Sequence, residues 1–230
     1  MKKNLEAVRD RIEQAAERSG RSVDEIKLIA VSKTYPAKTL LEAIGLGINI
    51  FGENKVQEAE AKIETVGRDK AEWHLIGHLQ KNKVRKAVKY FDAIHSIDSV
   101  EICHRLDAVC AEEGRGILPV LIQLNLGGEA SKSGAKETDL QLIVETLKRC
   151  GHLHLAGLMC LPPFSDDPEE TRPYFRRLRE IRDRLAGEGS FGRGIGELSM
   201  GMSNDLEVAI EEGATVVRVG TDIFGTRKKK

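Results

Sequence analysis

Eight strand-like runs alternate with helix-like stretches along this chain of 230 residues. That alternation predicts an α/β fold with a parallel sheet, here a single (β/α)8 barrel of the TIM type preceded by an extra N-terminal helix. Two further observations agree. Barrels of this kind commonly fill about 200–250 residues as one domain, and no Ser-, Gly- or Pro-rich stretch is long enough to join two domains, so residues 1–230 read as one domain. An open doubly wound sheet would more naturally show a GxGxxG turn after an early strand, and the chain has none.

The elements follow in order. Leu5, Val8, Ile12, Ala15 and Ala16 fall at helical spacing over residues 3–19, and Gly20 stops the helix. The first strand, 26–32, is an apolar run that ends at Lys33 and exits through Tyr35-Pro36, because the residue before a proline avoids the helical region. Further strands are expected at 48–51, 72–76, 92–96, 117–124, 153–157, 196–199 and 215–219. Helices are expected between them at 37–45, 54–65, 81–89, 99–113, 137–149, 169–186 and 204–212, most of them charged on one face and apolar on the other. Pro162-Pro163 and Pro168 mark a loop after the sixth strand, and Gly187 to Gly194 a glycine-rich one before the seventh.

Bulk properties exclude several classes. The chain has 40% hydrophobic and 31% charged residues, with 36 Lys plus Arg against 36 Asp plus Glu. A balanced charge argues against nucleic acid and acidic membrane surfaces as partners. The basic run Arg227 to Lys230 is short and reads as a solvated terminus. Cys103, Cys110, Cys150 and Cys160 form no CxxC and no zinc-like spacing with histidine, so no metal is expected and a reduced cytoplasmic setting fits. The N-terminus lacks the apolar stretch of a signal peptide, and no run approaches a membrane span.

Barrels carry their chemistry at the carboxyl ends of the strands. Lys33 follows the first strand there, and a lysine shielded from water can act as a nucleophile; the alternative is a strand-end lysine reaching solvent. Asn54 follows the second strand. After the seventh, Ser199-Met200-Gly201-Met202-Ser203 is a small glycine-containing turn into a helix, suited to phosphate, although Ser203 as a simple helix cap is also open. Gly220-Thr221 follows the eighth strand, and barrels often hold phosphate between these two loops. Arg218 alternates with Val217 and Val219, so it faces the barrel interior if they face the helices. Buried there, it needs a carboxylate or an acceptor on a ligand. A reactive lysine across from a phosphate site and an arginine fits an aldehyde cofactor bearing a phosphate, such as pyridoxal 5′-phosphate.

The residues at this point carry a resemblance. The chain closely resembles the YggS/PROSC pyridoxal phosphate homeostasis proteins, whose barrel is similar to the N-terminal one of alanine racemase. The matching segments are Ala30 to Pro36, Phe51 to Glu58, Trp73 to Lys83, Gly157 to Met159, Leu198 to Asp205 and Val217 to Gly225, spread over almost the whole chain. The resemblance implies that Lys33 forms the Schiff base with the cofactor. It puts Ser199, Gly201, Gly220 and Thr221 around the phosphate, Arg218 at the pyridine nitrogen and Asn54 beside the ring, and Met202 joins them as a cofactor-binding residue. Two positions depart from the family pattern: Lys55 stands where a tyrosine is usual, and Asp222, beside the phosphate loop, where alanine is usual.

Two functions compete. A carrier would bind and buffer the cofactor, possess no catalytic residues, act as a monomer and pass its cargo to pyridoxal phosphate-dependent apoenzymes. An amino-acid racemase would need a second base facing the substrate. The sequence ends soon after the eighth strand, so the domain that positions that base in two-domain racemases is not expected, and none of Tyr35, Tyr90 and Tyr174 sits at a strand end with an obvious base role; for Tyr35, two residues past Lys33, reaching the pocket is the alternative to the favoured packing role. The carrier is therefore the expected function. A Schiff-base aldolase would need a carboxylate or a second lysine near Lys33, and no candidate stands out.

Overall fold

A computed structural model describes residues 1–129 and 133–225; the basic residues Arg227 to Lys230 lie outside them. Eight parallel strands close in sequence order into a barrel. They are β1 (Lys27–Val31), β2 (Ile50–Glu53), β3 (Glu72–Leu75), β4 (Ala93–Ile97), β5 (Leu118–Leu124), β6 (Leu153–Cys160), β7 (Glu197–Ser199) and β8 (Val216–Val219). Closure pairs β1 with β8, setting Ile29 opposite Arg218.

The surrounding helices are α1 (Lys2–Arg18), α2 (Ala37–Gly45), α3 (Val56–Val66), α4 (Val84–Tyr90), α5 (Val100–Glu112), α6 (Leu140–Leu147), α7 (Arg172–Gly187), α8 (Leu206–Glu211) and the single turn α9 (Thr221–Phe224). The five residues expected on the inner face of α1 are all buried. That face packs on α8 and α9, and Arg11 of α1 ties them together through Glu207 and Asp222, both at 2.6 Å.

Several boundaries differ from the sequence reading. Strand β2 starts at Ile50 rather than residue 48, because the Ile48 N–H still bonds back to Ala43 at the end of α2. Its end includes Gly52 and Glu53, expected beyond the strand. Likewise β6 runs on to Cys160 and takes in Met159. Helices α4, α6 and α7 begin about three residues late because a 3-10 turn precedes each, at Lys81–Lys83, Glu137–Asp139 and Pro168–Thr171.

Helix-facing side chains such as Phe51 and Trp73, stacked with centroids 5.4 Å apart, form the main apolar core. The barrel axis is more polar than the Val, Ile and Leu layers usual in such barrels: His74, His95, Ser199 and Arg218 are all buried there and joined by hydrogen bonds. Among the described residues no helix is long and apolar enough to cross a membrane.

Candidate functional site

A cavity of about 250 Å3 opens at the carboxyl end of the barrel. This is just below the roughly 300–1,000 Å3 of common ligand sites, a size for one ring and a small charged group. Lys33, Asn54, Met202, Arg218, Gly220 and Thr221 line it, as expected from the sequence, together with Ser203, Asn204, Asp205 and, from the proline-marked loop, Leu161 and Pro163 to Ser165. Ser199 and Gly201 lie behind this wall.

Lys33 occupies a tight turn. The Tyr35 N–H bonds to the Ser32 carbonyl at 3.1 Å, and between them Thr34 has φ 71°. Among the described residues Thr34 is the one non-glycine at positive φ. For a β-branched residue that conformation is strained, by about 1–3 kcal/mol. Asn54 is held from below by a close approach: a Cβ on Gly77 would stand 2.2 Å from the Asn54 carbonyl oxygen, so glycine lets the loops after β2 and β3 touch.

Arg218 is 3% exposed and points at the cavity from β8. Its guanidinium donates to Ser199 Oγ at 2.7 Å and to the Cys160 carbonyl at 2.9 Å, both uncharged acceptors. Burial accordingly pulls its pKa down from the usual value, and it remains a cation. A direction for the chain behind it follows. Ser199 accepts from Arg218, so its hydroxyl donates to His95 Nδ1 at 2.9 Å. The other nitrogen of His95 donates to His74 Nδ1 at 2.8 Å, and His74 Nε2 donates to Glu72 at 2.7 Å. The guanidinium can only donate and the carboxylate can only accept, so both ends demand the same direction. Burial holds His95 neutral, with its pKa well below the usual imidazole value. Ser199 thus supports Arg218 from beneath.

The end of the cavity formed by the loops after β7 and β8 is small and polar. Asp205 Oδ1 accepts the Met202 N–H at 2.6 Å, and the Asp205 N–H returns to the Met202 carbonyl at 3.2 Å, which rolls Met202 to Asp205 into a compact turn. Burial raises the Asp205 pKa, opposed by the Met202 N–H and by the nearby Arg218 charge. Gly201 serves this turn by packing: its φ is 91°, and a Cβ there would lie 2.6 Å from Ala209 Cβ. Its carbonyl accepts the Arg218 N–H at 3.0 Å. Gly220 packs against β1, with the Val31 carbonyl 3.1 Å from where its Cβ would be. Asp222 turns away from the cavity to Arg11, which answers the question its unusual carboxylate posed.

Sequence reasoning missed two polar sets, each built around buried residues. The first is the axial chain of Glu72, His74 and His95, whose signal was strand parity: Glu72 and His74 share one face of β3, and the residues at alternate positions of an outward-packing strand face inward. The second is Glu53, Glu58 and Lys62. Lys62 falls in the apolar stripe of α3 beside Ala59, Ile63 and Val66, a position that calls for a buried partner.

Comparison with known proteins agrees with this geometry. The family model described as alanine racemase, N-terminal domain, matches residues 4–228. A pyridoxal phosphate homeostasis protein of Aquifex aeolicus is 42% identical over 97% of this chain and 97% of its own length. One from Escherichia coli is 43% identical over 97% and 95%. The structure of PipY from Synechococcus elongatus with pyridoxal phosphate bound superposes with a TM-score of 0.81 at 37% identity, covering 94% of this chain and 100% of that one. With a match along nearly its whole length to the family model and to relatives above 40% identity, the chain belongs to the alanine racemase N-terminal domain family, among the pyridoxal phosphate homeostasis proteins.

Proposed function

We propose that this protein binds pyridoxal 5′-phosphate in the cavity between Lys33 and Arg218 and buffers its supply, holding and releasing it without turning over a substrate. The observation that carries the reading is Arg218, a buried cation with only uncharged hydrogen-bond partners, facing the same cavity as a strand-end lysine. The residues fit the cofactor. The Lys33 amine is the group to capture its aldehyde, Arg218 an N–H donor for its ring nitrogen, Asn54 a neighbour of the ring, and Ser203, Gly220 and Thr221 a polar end for its phosphate. When bound, the cofactor supplies an electrophilic aldehyde and an electron-withdrawing ring.

The chain's own groups favour holding over catalysis. An arginine keeps its protons, so it donates a hydrogen bond to a ring nitrogen without protonating it, and the ring stays a weak electron sink. Among the described residues lining the cavity, the titratable ones besides Lys33 and Arg218 reduce to Asp205, whose carboxylate already holds the Met202 N–H. Tyr35 gives its hydroxyl to the Gly225 carbonyl at 2.6 Å and packs on Phe224. Pyridoxal phosphate-dependent apoenzymes are the recipients this reading implies. Borohydride reduction of the loaded protein followed by peptide mapping tests the site: the adduct is expected on Lys33, and an adduct confined to surface lysines such as Lys2 refutes it.

A further inference from the structure

The strained turn that carries Lys33 is gripped from behind by three charged side chains of β2 and α3. Lys62 is 7% exposed, and its ammonium donates to the Ser32 carbonyl at 2.6 Å, to Glu53 at 2.7 Å and to Glu58 at 2.8 Å. Three donors thus meet three acceptors. Glu53, fully buried, also accepts the Ser32 hydroxyl at 2.7 Å. Glu58 accepts the backbone N–H of Thr34. The residues on both sides of Lys33 are therefore anchored, Ser32 through its carbonyl and hydroxyl and Thr34 through its N–H. The Thr34 anchor acts on the very residue whose φ of 71° a threonine resists. Strain at a functional lysine persists only where its surroundings over-determine it.

We infer that Glu53, Glu58 and Lys62 are positioning residues, an ionic clamp with a buried Glu53–Lys62 pair at its centre, which holds the Ser32–Tyr35 turn so that the Lys33 amine meets the cofactor's aldehyde. The inference rests on the proposed function. It separates two parts of binding. Capture by Lys33 depends on the clamp, whereas contacts of the ring and phosphate with Arg218, Ser203 and Thr221 do not, because those residues belong to other elements.

Pyridoxamine phosphate probes the second part alone, since it carries an amine where pyridoxal phosphate has the aldehyde. The experiment measures the affinity of both compounds for the full chain and for the variants Glu58→Ala and Lys62→Met. Glu58 is half-exposed at the surface, so its variant tests the clamp even if Lys62→Met folds poorly. Pyridoxal phosphate is expected to weaken about tenfold or more, the scale of a lost charge-assisted hydrogen bond, with pyridoxamine phosphate within about twofold of wild type. A Thr34→Gly change added to Glu58→Ala should recover most of the loss, because glycine adopts the left-handed conformation unaided. Equal weakening of both compounds in Glu58→Ala, or no weakening of either, overturns the clamp. Wild-type protein that binds neither compound refutes the cofactor reading itself, and the clamp with it.

Discussion

His95 has no protein charge beside it to stabilise a second proton, only the ring of His74, the hydroxyl of Ser199 and the nearby cation Arg218. Burial depresses its pKa, and the charge of Arg218 adds to the effect. The unfolded chain binds a proton at His95 near pH 6.5 and the folded one does not. Stability from this group is therefore complete above about pH 6.5 and is lost as pH falls below it, by up to about 1.4 kcal/mol per pH unit. In a protein of this size that is a fall in Tm of roughly 3–5 °C per unit. Thermal melts between pH 7 and 5 should show this slope, and His95→Gln, which cannot take up the proton, should flatten it. A variant with the full slope would place the acid sensitivity elsewhere. The same substitution interrupts the chain to Arg218, so affinity for pyridoxal phosphate should fall with it.

At the scale of elements, the loops after β7 and β8 divide their work between packing and binding. Gly201 packs: the methyl of Gly201→Ala would press on Ala209 of α8 in a backbone already at positive φ. A loss of about 2–4 kcal/mol in urea unfolding is expected, from overpacking plus strain. Unchanged stability would mean that α8 moves freely away from the barrel. Ser203 and Thr221 face the cavity from these two loops. If the phosphate sits between them, a Ser203→Ala, Thr221→Val protein loses about tenfold or more in affinity for pyridoxal phosphate but little for unphosphorylated pyridoxal. Parallel losses for the two ligands would put the phosphate at another wall.

For the whole molecule the issue is whether a racemase-like barrel is catalytically quiet. The test is α-proton exchange of L-alanine in deuterated water with saturating pyridoxal phosphate. Rates far below the roughly 1–1,000 turnovers per second of ordinary enzymes are expected, because on the proposed reading the ring nitrogen would meet Arg218, and the cavity wall offers no unengaged second base among the described residues. Exchange and racemisation at enzymatic rates would overturn the carrier reading.

Much of this was legible in local sequence, for reasons that are themselves local. The alternation of periods that makes eight βα units, the apolar face of α1 and the lysine after β1 each depend on residues within one turn or one strand. Six of the eight expected cofactor residues line the cavity because strand ends in a parallel barrel must all emerge at one mouth. What each buried polar group bonds to was decided by closure. Ser199 meets His95, 104 residues away, and Arg218 meets the Cys160 carbonyl, 58 away. Strand parity assigns a face but not a neighbour. Lys62 reaches Ser32 only because α3 packs back over β1 and β2. Asp222 was left open by its position in the chain, and the docking of α1 settled it through Arg11. Burying a charge costs free energy unless a partner is fixed beside it, and in this protein the partners stand side by side only once the sheet has closed on itself.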